Sequence, residues 1–598
     1  ANMTVRNLVT SMRSMTAFDW HSFFEEVSVV DDCLRGSPAF SGMDFLTRDR
    51  YRHSIEELAK GSGRAELEVA RLILAKSQQS NPAEMPRERE ARGRDPGYYL
   101  ISNGRQGFEK EIGYKLTTRN RMLRAYVSHA TAAYLSSIAL LTVIVLSIPL
   151  WASFGAGLRW YELLILGVLA VIPASEIGLT LLHRWITQTL GPRHLPRLDL
   201  ASGIPSSMRT FVVVPTMLTG DPTIAESVQR LEIHYLSNPS GDIRFALLSD
   251  WADAEAESVP GDERLLELAA DGIAKLNRNY GRMADGGPRF HLFHRKRLWS
   301  GTQNKWMGWE RKRGKLHEFN RMLRGSEDTS FVAIDGEPPR PPPGVRYVVT
   351  LDADTRLPIG AVRQLVGTAA HPLNEPRLDP ARGRVVEGYG VLQPRITPRL
   401  PSAHESSIFQ RLFSAPSGVD QYAAAISDVY QDLFAEGSYT GKGLYDVDAF
   451  EAGLVGRLPE EAVLSHDLLE GIFARCALVS DIELFEDFPS HSEVSAARAH
   501  RWTRGDWQLL SWMFGPVGAG MSAISRWKLI DNLRRSLLAP TALATLIASW
   551  SMPLAPRVLW LMTIIVALAL PTLLSVVSGF MPPRTAVSLR HHFRMVGD

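Results

Sequence analysis

Four charge-poor stretches, set in two close pairs around a long polar interior, constrain this chain more than any other feature. From Tyr126 to Leu158 there is no Asp, Glu, Lys or Arg. A second stretch, Leu163 to His183, is interrupted by Glu176; a third covers Ser536 to Pro556 and a fourth Val558 to Pro583. Each could supply the roughly 20 residues that cross a hydrocarbon core of about 30 Å. Buried helices of a large soluble protein are the alternative, but four such runs in two close pairs are hard to bury otherwise. The flanks set the direction. Arg119, Arg121 and Arg124 precede the first stretch, and Arg184, Arg193 and Arg197 follow the second. Arg526, Lys528, Arg534 and Arg535 precede the third, and Arg584, Arg590 and Arg594 follow the fourth. The short connections inside each pair carry only Arg159 or Arg557 as basic residues. The positive-inside rule puts the basic flanks in the cytoplasm. The expected order is a soluble, mostly helical region over residues 1–125, a transmembrane helix pair over 126–184, a cytoplasmic domain over 185–535, a second transmembrane pair over 536–584, and a basic cytoplasmic tail over 585–598.

A net charge of +2 lacks the basic excess expected of a nucleic-acid partner, so none is expected. Cys33 and Cys476 lie far apart without a CxxC pairing, which argues against a disulfide scaffold or zinc site and fits a reducing compartment. Ala1 to Trp20 contain no apolar signal core, and the chain does not begin with a typical start, so it is expected to be a piece of something longer. Ile55–Leu58 and Leu67–Leu74 have helical apolar spacing, but residues 1–125 suggest no chemistry.

The interior is where chemistry is expected. Thr210-Phe-Val-Val-Val-Pro215, Arg244-Phe-Ala-Leu-Leu-Ser-Asp250 and Arg346-Tyr-Val-Val-Thr-Leu-Asp352 read as buried strands, with a helix-like stretch from Pro222 to His234 after the first. Such a succession implies an α/β domain with a mostly parallel central sheet and helices on its faces. Ligands of such sheets lie beyond the carboxyl ends of the strands, where Asp250, Asp352 and Asp354 fall.

Three motifs follow. Asp352-Ala-Asp354 places two carboxylates so that both can face one hard cation, Mg²⁺ or Mn²⁺, together with phosphate oxygens. An isolated Asp-x-Asp is common in solvated turns; the strand before it, Tyr347–Leu351, gives this one its weight. Ser465-His466-Asp467-Leu-Leu-Glu-Gly471 presents Asp467 before an apolar helical turn, either as a cap or as a base taking a proton from an attacking hydroxyl. Arg498-Ala-His-Arg501-Trp502 offers planar forks for phosphate and an indole face for a sugar; plain interfacial anchoring is the alternative.

In this order the motifs resemble the D, DxD, TED, (Q/R)xxRW series of processive family-2-like glycosyltransferases such as cellulose synthase, with His466-Asp467 standing where TED is expected. The strings Thr350–Pro358, Gly441–Phe450, Ser465–Gly471 and Met43–Tyr51 are similar to bacterial cyclic β-1,2-glucan synthases, so the resemblance covers most of the chain. It implies a GT-A fold, UDP-glucose as donor, a growing β-1,2-glucan as acceptor, and a multi-pass place in the bacterial inner membrane. It further implies Asp250 at the uridine, Asp352 and Asp354 at the metal-bound diphosphate, Asp467 as base, and Arg498, Arg501 and Trp502 at diphosphate and acceptor. Lys315, in Arg313–Asn320, resembles the basic stretch that other members place near the nucleotide; an exposed helix face is the other reading. The implied reaction is a single displacement with inversion. The family also grows its glucan on the protein itself, and Tyr422 is the expected attachment point, with Tyr439 and Tyr445 as rivals. The family's C-terminal glycoside-phosphorylase region is not in these residues. Competing readings are a synthase of β-1,3- or β-1,4-glucan, a non-catalytic transport or scaffold protein, and, less well matched, a two-carboxylate hydrolase.

Overall fold

The computed structural model of the protein describes residues 2–78, 91–334, 336–399, 407–413, 428–463 and 466–580. Its centre is an eight-stranded sheet. The strands are β1 (Thr210–Leu218), β2 (Ile243–Trp251), β3 (Phe290–Arg295), β4 (Tyr347–Thr350), β5 (Thr355–Arg356), β6 (Val391–Pro398), β7 (Gly443–Asp446) and β8 (Cys476–Glu486). They lie in the order β3-β2-β1-β4-β7-β6-β8-β5. The first four in that order are parallel. β7 runs antiparallel to both β4 and β6, β6 and β8 are parallel, and β5 closes the edge antiparallel to β8.

The near-continuous apolar runs of β1 and β2 follow from burial on both faces. Val212, Val214, Phe245 and Leu247 point to one core, which the helices Asp221–Ser237, Asp262–Tyr280 and Ala361–Ala369 cover. Phe211, Val213, Ala246 and Leu248 point to the other, under the helix Arg311–Leu323, whose Leu316, Phe319 and Met322 fill it. The helical N-terminal residues build a core of their own around Tyr51, Ile55, Leu58 and Ile73. They are tied to the sheet domain through Arg197, which reaches Asp44 at 2.9 Å and Asp481 at 3.2 Å, and through Arg92, 2.8 Å from Glu387.

Three helices among the described residues are long and apolar enough to cross a membrane: Ala130–Gly155, Trp160–Leu190 and Leu554–Leu574. Residues 536–549 of the third charge-poor stretch are the far end of the helix Ala523–Ser549, whose near end carries Arg526, Lys528, Asp531, Arg534 and Arg535. Pro540, near the junction, lies inside this helix without ending it, so one helix contains both the basic flank and the apolar stretch. Glu176, the acid inside the second stretch, is paired with Arg534 at 2.6 Å, the kind of partner an ionised side chain in such a helix requires.

Candidate active site

The register of the sheet brings distant residues together at one edge. Asp352 follows β4 and opens a tight turn: its N–H donates to Thr355 Oγ1 at 3.1 Å, and the Thr355 N–H donates to the Asp352 carbonyl at 3.1 Å. Arg230 clips the turn from the neighbouring helix by donating to the Ala353 carbonyl. β7 pairs with β4 so that Gly443 lies opposite Thr350, which carries Gly441 and Lys442 past the end of β4 to the turn. β8 pairs with β5 so that Glu486 lies opposite Thr355. A register break between Pro394 and Arg395, where β6 meets β8, sets the position of that last part of β8.

Asp352, Asp354 and Glu486 therefore converge, each with a carboxylate oxygen within 4.8 Å of the others. Three hard oxygen donors at this spacing suit a divalent cation such as Mg²⁺ or Mn²⁺. Basic side chains face the cluster. Lys312 Nζ is 2.5 Å from Asp352 Oδ1, Lys442 Nζ lies 3.1 Å from Asp352 Oδ2 and 2.6 Å from Glu486 Oε1, and Arg498 is 3.8 Å from Asp354. Burial works to raise the Asp352 carboxyl, but the two lysines outweigh it and hold it well below the usual carboxylate range. Burial raises Glu486, with Lys442 opposing.

Asp467 begins the helix Asp467–Phe473 and packs on Gly441, whose φ of +84° and open face leave room for the carboxylate. A Cβ at Gly441 would lie 2.7 Å from Asp467 Oδ1. Lys312 ties Asp352 to this turn, since it also donates to the Gly441 carbonyl at 2.7 Å. His466 Nδ1 is 2.8 Å from Glu470 and 3.5 Å from Asp467. Burial pushes the Asp467 carboxyl up; His466 and Lys312 oppose the rise, and the like charges on Glu470 and Asp352 add to it.

A cavity of about 600 Å³ opens from these acids toward the apolar helices. Asp467, Lys442 and Glu486 line its inner end, with Arg498 and Trp502 from the helix Ser492–Gln508. Arg498 and Trp502 are one helical turn apart and so share the cavity face. Arg501 is exposed and lies outside the cavity wall. The outer wall comes from Asn532 and Leu538 on the helix Ala523–Ser549 and from Leu568 on the helix Leu554–Phe580.

Asp250 and Lys315 sit together but apart from this cavity wall. At the end of β2, Asp250 takes both guanidinium contacts of Arg295, at 2.8 and 3.0 Å, and lies 2.9 Å from Lys315 Nζ. Burial raises the Asp250 carboxyl, but the two cations more than reverse this; burial lowers Lys315 to about 8 against the pull of Asp250. Both are buried, so Lys315 is not on an exposed helix face. Tyr422 lies outside the described residues. Tyr439 lines the cavity, whereas Tyr445 is a core residue that donates to Asn320 at 2.8 Å and stacks on Phe450. Sequence reasoning passed over Lys312, Lys442 and Glu486. Lys312 stands three residues before Lys315 in the same basic stretch, and Lys442 stands between two glycines.

The fold and site define an α/β protein with a half-buried acid cluster at the edge of a curled, mostly parallel sheet, joined to long apolar helices. Over its whole length the chain is 43% identical, across 604 aligned residues, to the cyclic beta-(1,2)-glucan synthase NdvB of Rhizobium meliloti (strain 1021). It spans 21% of that protein's length. The chain is thus, from end to end, a homologue of one segment of a cyclic β-(1,2)-glucan synthase. No family model matches it. Among solved structures it is similar to the mannosyltransferase PcManGT from Pyrobaculum calidifontis, solved in complex with GDP-Man and Mn²⁺. That match has 15% identity and a TM-score of 0.39 over 68% of this chain and 92% of the other, too loose to bear on the reading below.

Proposed function

We propose that this chain is the glycosyl-transfer segment of a cyclic β-1,2-glucan synthase, with a GT-A sheet, taking glucose from UDP-glucose and adding it to the growing glucan with inversion at the anomeric carbon. One observation carries the reading: Asp467, packed on Gly441, lines one cavity together with Glu486, whose carboxylate clusters with those of Asp352 and Asp354. The full-length likeness to NdvB supports it.

In this reading the cluster holds Mg²⁺ or Mn²⁺, which supplies charge neutralisation at the donor diphosphate. Asp467 accepts the proton from O2 of the terminal glucose as that oxygen attacks C1 of the donor. The bond from C1 to the diphosphate oxygen breaks with its electron pair going to the leaving group. Lys312 and Arg498 face the developing charge, and preorganised cations of this kind supply much of the rate enhancement in many group transfers. Trp502 offers a face to the acceptor sugar. Asp250 and Lys315 form the floor beneath the nucleotide, and Arg501 acts from the rim. The apolar helices cross the inner membrane with the sheet domain on the cytoplasmic side, as the basic flanks favour. Tyr422 remains the proposed point of glucan attachment.

The test is incubation with labelled UDP-glucose and divalent ion. Wild type should place label on the protein and in β-1,2-linked glucan. Asp467→Asn should lower the rate by about 10²–10⁴-fold, the usual worth of a positioned base. Undiminished transfer by Asp467→Asn would overturn the base assignment, and a glucan mapped by mass spectrometry to a tyrosine other than Tyr422 would overturn that attachment.

A further inference from the structure

The cluster of Asp352, Asp354 and Glu486 is already neutralised within the chain. Three carboxylates face three cations, Lys312, Lys442 and Arg498. Of the three cations only Lys442 bridges two of the acids, and its ammonium lies within 3.1 Å of both Asp352 and Glu486. Metal–oxygen bonds to Mg²⁺ are about 2.0–2.1 Å, so an ion using the same two oxygens would stand almost on top of that ammonium. Two cations that close repel strongly in a partly buried site. Lys442 and the ion therefore exclude one another at these oxygens.

The chain aims Lys442 with care. Gly441 and Gly443 on either side have φ of +84° and +131°, and a Cβ at Gly443 would collide with the Leu392 carbonyl at 2.2 Å. Just before them the Thr440 N–H and hydroxyl both donate to the buried Gln393 Oε1, at 2.9 and 3.0 Å. The backbone is thus held, while the four-carbon stem of lysine can swing its head along the cavity that it lines. Charge says where the head goes. Adding a divalent ion to a neutral cluster leaves a surplus of two positive charges, which a nucleoside diphosphate ester matches.

We propose that Lys442 is a resident counter-ion that couples loading of the metal to loading of the donor: it holds Asp352 and Glu486 until a divalent ion and a nucleoside diphosphate arrive together, then turns to the diphosphate, leaving Glu486 as the third protein ligand. The proposal rests on the metal-dependent reading above and adds one residue, Lys442, and an order of events to it.

Binding of Mn²⁺ to the detergent-solubilised full chain, read from loss of the free-ion EPR signal, tests this without any turnover. For wild type, UDP should tighten Mn²⁺ binding by about tenfold or more, an ordinary size for coupling between two ligands. Lys442→Met should tighten Mn²⁺ binding in the absence of UDP and lose most of the coupling, whereas Lys442→Arg, which keeps the charge, should retain it. Glu486→Gln should weaken Mn²⁺ binding with UDP present by about tenfold. Thermal unfolding of each variant checks that it is folded, and if Lys442→Met is not, the comparison of Lys442→Arg and Glu486→Gln with wild type decides. Unchanged or weaker Mn²⁺ binding by folded Lys442→Met, or unchanged binding by Glu486→Gln, overturns the proposal. Failure of wild type to bind Mn²⁺ even with UDP would instead overturn the metal-dependent reading on which it rests.

Discussion

In the role proposed for it, Asp467 would act as a base only when ionised, yet its surroundings push its carboxyl above the ordinary value for aspartate, about 3.9. Activity should therefore fall as pH drops through a value higher than that, and kcat/KM against pH reports it. His466 carries the clearest handle on this limb. Burial works against its charge, but Glu470 and Asp467 outweigh that and raise its pKa, so it keeps a cation beside Asp467 to higher pH than a free imidazole would. Replacing it with glutamine removes a cation that favours ionised Asp467, so the acid limb should move to higher pH while activity at alkaline pH changes little. A limb that stays in place, or moves to lower pH, would show that His466 does not act on Asp467.

At the scale of elements, the turn between Thr440 and Gly443 governs the site more than any single acid, because it touches both. Gly441→Ala should cost about 1–2 kcal/mol for an L-residue in left-handed backbone. It should also drive the Asp467 carboxylate off its seat, for the added methyl would lie 2.7 Å from Oδ1. A displacement of about 1 Å at a reacting group costs on the order of 10²-fold in rate. The expected outcome is a protein that unfolds only a few degrees lower but has lost most of its kcat; unchanged kcat would remove Gly441 from the site. This turn also marks how far sequence reading reaches. The parallel strands around Val212, Phe245 and Val348 were legible because burial on both faces demands unbroken apolar runs, and the acids at their ends could be placed with them. Lys442 and Glu486 were not, because what brings them to Asp352 is antiparallel pairing of β7 with β4 and of β8 with β5, and a register break at Pro394. Neither leaves a local signal. Within the motif Arg498–Trp502 the spacing did not rank the members: on the helix Arg498 and Trp502 share a face with the cavity, and Arg501 stands outside its wall.

At the scale of the whole molecule, the chain has its own N-terminal core, a sheet domain and apolar helices that expose Leu140, Val143, Ile148 and Trp151 on one helix and Leu561, Met562 and Ile565 on another. So much exposed aliphatic surface on helices of spanning length fits a lipid surround. After expression, alkaline carbonate washing should leave the protein in the membrane pellet, and detergent should be needed to release it; recovery in the wash supernatant would contradict the spanning arrangement. The apolar stretches were the plainest signal in the sequence, yet they did not mark where each helix begins. A composition window sees where charge stops, whereas a helix continues until its backbone pairing ends, and even Pro540 does not end the one from Ala523 to Ser549.

That continuous helix makes the reaction chamber part of a lever. One end of the rod supplies Lys528 and Asn532 to the cavity wall, and its other end carries the aliphatic run beside the spanning helices. In the proposed membrane arrangement, tilt imposed on the far end by a thinner or thicker bilayer would pass to the near end, with Pro540 as a joint that takes up part of it. Acyl-chain length in the surrounding lipid would then bear on how wide the cavity stands.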